Sequence, residues 1–148
     1  MQKLRIAVLF GGSSSEHDIS LKSAFSVLNH FPHDKFEAVC IGITKKGRWL
    51  YFPGDYSLIP TGEWENNVDC CSAVISPDPM HGGIVKLFDG DASILRIDAV
   101  FPVLHGKFGE DGTVQAICEL AGLPCVGCGM TSSAICMDKA YTHAVLDN

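Results

Sequence analysis

Two continuous apolar runs stand out in the hydrophobic pattern, and each is followed by a glycine-containing polar segment. The runs span residues 6–10 (IAVLF) and 99–104 (AVFPVL). A short run of this kind suits a strand that is buried on both faces of a parallel sheet. Behind the first run, Gly11 and Gly12 allow a tight turn, and apolar positions then repeat at helical spacing over residues 21–28. The pattern predicts a strand, a glycine turn and a helix.

The start of this helix favours an anionic ligand. Ser15, with Asp18 three residues later, resembles a capping box. Free backbone N–H groups and the positive end of the helix dipole would then lie at the carboxyl edge of the sheet. Glu16 in the first turn could also meet an ammonium group, so the pattern is compatible with an amino-acid site. The alternative, that the serines only cap the helix and Glu16 only complements its dipole, stays open.

The segment between the two runs predicts a smaller β-rich region. Residues 36–44 are interpreted as a second strand, and residues 48–52 as a hairpin arm that returns after the turn at residues 45–47. Residues 53–67 are rich in Pro, Gly, Asn and acids and are interpreted as a surface excursion without firm structure. Further short strands are expected at residues 74–75, 84–88 and 93–97.

The second apolar run repeats the arrangement of the first. It leads into the loop 105–112 (HGKFGEDG), a helix from about Thr113 that Gly122 ends, and a short strand at residues 123–126. The fold class is therefore α/β: a Rossmann-like, open, mostly parallel sheet with helices on both faces and an inserted β-hairpin region. Both glycine loops should meet at one sheet edge, bringing His105 near the first loop. The alternative is that His105 only satisfies local backbone groups.

The end of the chain predicts one more helix. Thr131 or Ser132 is expected to cap it, and it should run through Lys139 with its apolar period kept as far as Val145. Because the pattern is still helical where the chain stops at Asn148, we expect residues 1–148 to form one domain of a larger protein.

Composition and charge exclude several classes of protein. The net charge of −6, without a Lys/Arg cluster able to neutralise a phosphate backbone, argues against a nucleic-acid partner. No apolar stretch is long enough to span a bilayer, and the N-terminal apolar run is too short for a signal peptide. We therefore expect no membrane association and a cytoplasmic location.

The seven cysteines predict neither a disulfide framework nor a metal site. Their number is odd, and several lie in apolar segments, where a free cysteine acts as a small hydrophobic residue. Cys125 and Cys128 form a C-x-x-C pair, but no second pair or His pair has zinc-site spacing, and a redox dithiol usually heads a helix. We expect reduced thiols and no metal ligands.

Three separated motifs together resemble the N-terminal part of the D-alanine–D-alanine ligases. They are LFGGSSSEHDISLKSA, VFPVLHGKFGEDGTVQAICELAGLPCVG and SSAICMDKA, in that order. The most specific is HG-x-x-GEDG-x-x-Q, which begins at His105 and ends at Gln115. The resemblance covers nearly the whole chain and includes the relatives that join D-alanine to D-serine or D-lactate in vancomycin resistance.

The resemblance implies roles in binding the first D-alanine. Glu16 would bind its ammonium group and is the catalytic residue that the family pattern implies. Ile19 and Ser20 would line or support the site, and His105 with Gly106 would lie near the substrate carboxylate. Asp18 stands where the family often has Glu, which keeps the charge.

The resemblance also implies the reaction of the full-length protein. An ATP-grasp ligase uses ATP and Mg²⁺ (or Mn²⁺) to phosphorylate the first D-alanine, and the amine of the second substrate attacks the acyl phosphate. Lys139 matches a lysine near the ATP phosphates. Residues 1–148 would be the N-terminal pre-ATP-grasp domain, inactive alone, in a homodimeric enzyme of peptidoglycan synthesis.

Four alternatives compete with this hypothesis. A D-alanine–D-serine or D-alanine–D-lactate ligase stays open, since the long excursion at residues 42–88 resembles the resistance-type ligases. A different ATP-grasp ligase, of the glutathione synthetase or biotin carboxylase kind, is disfavoured by the HGKFGEDG loop. A dinucleotide-binding domain is disfavoured because GGSSSE lacks the G-x-G-x-x-G pattern. A non-catalytic binding or dimerisation module is the remaining alternative.

Overall fold

The structure, a computed structural model, describes residues 3–147. Seven strands form one sheet with the order β6-β5-β4-β3-β2-β1-β7. The strands are β1 (Leu4–Gly11), β2 (Phe36–Ile43), β3 (Trp49–Tyr51), β4 (Cys71–Ile75), β5 (Gly83–Phe88), β6 (Asp91–Arg96) and β7 (Ala99–Pro102). The helices are α1 (His17–Asn29), α2 (Thr113–Leu120), α3 (Met130–Met137) and α4 (Lys139–Leu146).

The first apolar run forms the centre of the sheet because both of its faces are covered. In β1, Val8 and Phe10 pack in one buried cluster with Leu21, Ala24 and Leu28 of α1. The alternate residues of β1, Ala7 and Leu9, pack in a second cluster that includes Val114 and Cys118 of α2. The α/β class and the helices on both faces of an open sheet are therefore confirmed.

The sheet is mixed, which corrects the expectation of a mostly parallel one. β1 pairs in parallel with β2 and β7, whereas β3, β4, β5 and β6 are joined in sequence by antiparallel pairings that begin at β2. The connections between β2 and β6 contain no α-helix, and parallel pairing usually needs a helical crossover. The inserted β region is thus larger than one hairpin and extends the sheet by four strands.

The segment from residue 53 to residue 67 has more structure than the sequence predicted. It contains two 3-10 turns, Tyr56–Leu58 and Glu63–Asn66. Trp64 is fully buried and makes an edge-to-face contact with Phe10, at 4.9 Å between ring centroids. A Cβ on Gly42 of β2 would overlap the Trp64 ring. Trp64 and the fully buried Ile59 therefore anchor in the core a segment whose composition is typical of a loop.

The C-terminal part differs from the predicted single helix. α3 begins at Met130 after Gly129, so neither Thr131 nor Ser132 is its cap. Asp138 interrupts the period in an extended conformation, and its carboxylate caps α4 by accepting from the backbone N–H of Ala140 at 2.8 Å. Lys139 is consequently the first residue of a separate helix.

Four smaller findings complete the fold. Pro102 lies in β7, an edge strand, where a missing N–H is tolerated. The predicted strand at residues 123–126 is reduced to one bridge, between Cys125 and Val100. All seven cysteines are free thiols, and burial raises the pKa of Cys40 to about 12, as expected of a cysteine that acts as a core residue. None of the helices within residues 3–147 has both the length and the hydropathy that crossing a bilayer requires.

Candidate functional site

The two glycine loops meet at the carboxyl ends of β1 and β7, which lie side by side in parallel. Gly11 and Gly12 have φ angles of 88° and 98°, and a Cβ on Gly11 would overlap the Ile43 carbonyl. Only glycine combines this backbone with so close an approach. The turn allows α1 to start directly above the sheet edge, as the sequence predicted.

Ser20 of α1 links the two loops through hydrogen bonds of its buried hydroxyl. Its side chain is fully buried, and Oγ accepts a hydrogen bond from the Gly11 backbone N–H at 2.8 Å. The same hydroxyl donates to the Val103 carbonyl, which belongs to the chain that follows β7. Ser20 therefore supports the site and has no surface with which to contact a substrate.

Two further serines hold His105 in place. Ser14 Oγ donates to the His105 carbonyl at 2.8 Å, and it also accepts from the backbone N–H of Glu16 at 3.2 Å. Ser23 Oγ lies 3.2 Å from His105 Nε2. His105 is thus fixed at both its backbone and its ring by the first loop and α1.

The Glu16 carboxylate lies against Gly106 of the second loop. Gly106 has a φ of 69°, and a Cβ at that position would overlap Glu16 Oε2. The backbone N–H of Gly106 is already taken, since it donates to Glu110 Oε2 at 2.7 Å. The half-buried Glu16 carboxylate therefore borders the second loop and makes no ion pair with a side chain within residues 3–147.

The second loop is held in shape by its own polar residues. Asp111 accepts from the backbone N–H of Phe108 at 2.8 Å and of Thr113 at 3.1 Å. The first bond stabilises Phe108 in the left-handed region, at a φ of 70°. Gln115 is buried, and its Nε2 donates to the Gly109 carbonyl at 3.2 Å. Glu110 Oε1 lies 3.9 Å from His105 Nδ1, so the acids of the motif shape the loop around the histidine.

Two carboxyl groups near the site have lowered pKa values. Partial burial alone would raise the pKa of Asp111, but the hydrogen bonds from the backbones of Phe108 and Thr113 outweigh it and lower the pKa. The pKa of Asp18 is lowered first by its hydrogen bond to Lys45, whose Nζ lies 2.9 Å from Oδ1. Both groups are therefore anionic near neutral pH.

The structure brings together some of the predicted site residues and leaves others apart. Glu16, His105 and Gly106 meet where the loops touch. Ile19 is 55% exposed on the outer side of α1, where a ligand could reach it. Lys139 is exposed at the start of α4, and within residues 3–147 no hydrogen bond or ion pair joins its side chain to either loop.

The predicted capping box does not form. The N-cap of α1 is Glu16, without a hydrogen bond from a capping side chain, and Ser15 is exposed. The backbone N–H groups of Ser13, Ser14 and Ser15 have no hydrogen-bond partner in the described part of the chain. The loop thus offers free donors beside a carboxylate, a combination that can orient a zwitterion.

Sequence reasoning missed the serines and the acid that position His105. Ser14, Ser23 and Glu110 belong to the motifs, but nothing in the motifs predicts their contacts with His105. A signal was present, because Glu16, Ser20 and Ser23 are spaced four and three apart and so share one face of α1. A polar face pointing at the sheet edge indicates contact with a second polar loop.

No group of three or more His, Cys, Asp or Glu side chains within residues 3–147 is arranged to hold a metal ion. The only acidic side chains in the second loop, Glu110 and Asp111, already accept backbone hydrogen bonds.

Comparison with known proteins identifies the family. The family model for the D-alanine–D-alanine ligase N-terminus matches residues 5–128. The chain belongs to this family. The matched residues include both glycine loops and all of the seven strands except Leu4, so both loops of the site lie inside the matched region.

Relatives with different names match this D-alanine–D-alanine ligase N-terminal region to a similar degree. The D-alanine–D-alanine ligase of Thermoanaerobacter sp. (strain X514) is 48% identical over 145 residues, which is 98% of this chain and 40% of that protein. The vancomycin/teicoplanin A-type resistance protein VanA of Enterococcus faecium is 47% identical over 149 residues, covering 100% of this chain and 41% of VanA.

A solved structure agrees with the fold in detail. The VanG D-Ala:D-Ser ligase from Enterococcus faecalis superimposes with a TM-score of 0.92 at 42% identity, over 99% of this chain and 42% of VanG. The chain thus spans about two fifths of the length of the relatives it matches.

Proposed function

We propose that this chain is the N-terminal, pre-ATP-grasp domain of an ATP-dependent D-alanine–D-alanine ligase, and that it binds the first D-alanine. The observation that carries the proposal is the contact between the two motif loops, where the Glu16 carboxylate lies against Gly106 and beside the fixed His105. Glu16 binds the ammonium group of the substrate. His105 and the free N–H groups of the serine loop orient its carboxylate.

The chemistry that these residues support is positioning. A carboxylate that attacks a phosphoryl group gains most from being held in line and from charge stabilisation. Ser14 and Ser23 fix His105, and Ser20 fixes the distance between the loops, so the substrate meets a preformed site. His105 acts here as a hydrogen-bonding residue that orients the substrate, and Ile19 lines the open side.

ATP supplies the phosphoryl group, and Mg²⁺ or Mn²⁺ neutralises its charge. The described residues fit this reaction only in part. Lys139, exposed at the start of α4, can meet a phosphate as a point charge. Residues 3–147 offer no cluster of acids for a metal ion, so we assign metal binding to the rest of the protein.

The remaining part of the enzyme is proposed to comprise the central and C-terminal ATP-grasp domains, which would make the isolated chain inactive. Exposed apolar side chains on the last helix support a missing neighbour, because Tyr141, Val145 and Leu146 are 66%, 60% and 76% exposed. A homodimer, a cytoplasmic location and a role in peptidoglycan synthesis follow from the family and stay predictions.

The test uses the full-length protein. We would follow ATP-dependent phosphate release with D-alanine for the wild type, Glu16→Ala and Glu63→Ala. Glu63 is an exposed acid on a 3-10 turn and serves as the matched control. Release that collapses in Glu16→Ala but not in Glu63→Ala is the expected result. Equal rates in both variants would refute the ammonium contact, and no release with any D-amino acid would refute the ligase proposal.

The second candidate function is a D-alanine–D-serine or D-alanine–D-lactate ligase. The close match of the fold to VanG and the 47% identity to VanA favour keeping it. Adding D-serine or D-lactate to the same assay distinguishes the two, because a faster release with detection of the mixed product would assign the chain to the resistance-type ligases.

A further inference from the structure

A cavity at the same edge of the sheet has no role in the proposed reaction. It has a volume of about 420 Å³ and lies between the start of α1, the turn that joins β2 to β3, and residues 60–66, which include the second 3-10 turn. Neither Glu16 nor His105 lines it. It is therefore distinct from the place where the two glycine loops meet.

The lining of this cavity has an excess of positive charge in a chain whose net charge is −6. Lys45, Lys46 and Arg48 line the cavity together with the acids Asp18 and Glu65. Lys45 is already paired with Asp18 at 2.9 Å. Within residues 3–147, neither Lys46 nor Arg48 makes an ion pair, so two cationic side chains are left to meet an anion.

His17 provides the independent indication of a ligand. Its side chain is 5% exposed, and Nδ1 lies 2.6 Å from the Gly12 carbonyl, to which it must donate. Cε1 faces Gly11, and the ring also lines the cavity. In the described part of the chain, Nε2 has no hydrogen-bond partner. In the neutral ring, a donor at Nδ1 leaves Nε2 as an acceptor, so a ligand that binds at this nitrogen has to donate.

We propose that this cavity binds orthophosphate through Lys46, Arg48 and His17. The two cations donate to the anionic phosphoryl oxygens, which suits the geometry of guanidinium and ammonium groups. At neutral pH orthophosphate still carries a P–OH group, and this hydroxyl donates to His17 Nε2. Sulfate has a similar size and charge but no hydrogen to donate, so it leaves Nε2 unsatisfied.

The experiment titrates the protein with sodium phosphate and, at matched ionic strength and pH 7, with sodium sulfate. Trp64 lines the cavity and can report binding by fluorescence once Trp49, the only other tryptophan, is replaced by Phe. Phosphate should bind at least about tenfold more tightly than sulfate, the ratio that corresponds to about 1.4 kcal/mol from one hydrogen bond. Equal affinities would overturn the proposal, as would the absence of saturable phosphate binding.

Variants locate the site. Lys46→Gln and Arg48→Gln should each weaken phosphate binding about tenfold, since each removes a charge-assisted hydrogen bond. Lys35→Gln is the control, because Lys35 is exposed beside the opposite end of β2 and should leave the affinity unchanged. The ring ¹⁵N resonances of His17 should shift with phosphate. Unchanged resonances, or an equal loss of affinity in Lys35→Gln and Lys46→Gln, would show that phosphate binds elsewhere and would overturn the proposal.

Discussion

The Ser20 hydroxyl offers the sharpest test of how the two loops are joined. In Ser20→Ala, the backbone N–H of Gly11 loses its 2.8 Å acceptor, and the Val103 carbonyl loses its donor. Both groups meet at a side chain that is fully buried, so water cannot replace the hydroxyl without a rearrangement. Leaving one buried polar group unsatisfied costs about 1–3 kcal/mol.

Because two groups lose their partner together, we expect the free energy of unfolding to fall by roughly 2–4 kcal/mol. In a chain of this size, 1 kcal/mol corresponds to about 2–4 °C in the melting temperature, so Tm should fall by roughly 5–15 °C. Urea unfolding followed by circular dichroism measures the first quantity, and a thermal scan measures the second.

Ser26→Ala is the matched control on the same helix. Ser26 is exposed, its hydroxyl makes no hydrogen bond within residues 3–147, and alanine is the better helix former. Its unfolding free energy should change by less than about 0.5 kcal/mol. A loss in Ser20→Ala of under about 1 kcal/mol, or one no larger than in Ser26→Ala, would refute the view that this hydroxyl holds the loops together.

Three further predictions follow from particular contacts. Gly106→Ala should destabilise the protein more than Gly47→Ala and should weaken D-alanine binding to the full-length protein. Both glycines have positive φ angles, but only a Cβ at position 106 would overlap Glu16, so equal losses of stability in the two variants would contradict this. Trp64→Ala should lower the unfolding free energy by about 3–5 kcal/mol in urea titrations, and a loss under about 1 kcal/mol would show that its segment is not packed. Because the pKa of Asp111 is lowered in the folded protein, its carboxylate stabilises the fold at pH values above the ordinary pKa, and this stability is lost as the pH falls through the lowered value. The difference in unfolding free energy between wild type and Asp111→Asn should therefore be largest near pH 7 and shrink in acid, and a pH-independent difference would contradict this.

The site also separates residues that touch a substrate from residues that support them. Glu16 and Ile19 present surface at the sheet edge, whereas Ser20 is fully enclosed. Loss of Glu16 should therefore affect binding with little effect on folding, and loss of Ser20 should affect folding first. Measuring stability and D-alanine binding in the same variants distinguishes the two kinds of residue.

The apolar pattern alone predicts the centre of the fold. An apolar run that ends in two glycines predicts a buried strand followed by a tight turn, and the helical spacing of the apolar residues behind it predicts the helix. The same local logic identified the second strand, its loop and α2, and the order of the motifs identified the family. These features depend on near neighbours in the chain, which a sequence displays directly.

Other features of the fold depend on residues that are far apart in the chain, and these appear only in the folded protein. Trp64 lies in a segment of loop-like composition, and its packing against Phe10 and Gly42, with the burial of Ile59, makes that segment part of the core. The antiparallel extension of the sheet follows from connections whose geometry the apolar pattern does not encode.

The site shows the same division. The sequence singled out Glu16 and His105, but the hydrogen bonds that hold His105 come from serines 91 and 82 positions away in the chain. The sequence left Ser20 either lining or supporting the site, and its burial, a property of the folded chain, assigns it the supporting role. The sequence therefore indicates which residues carry the chemistry. The side chains that position them depend on the pairing of β1 with β7 in the folded protein.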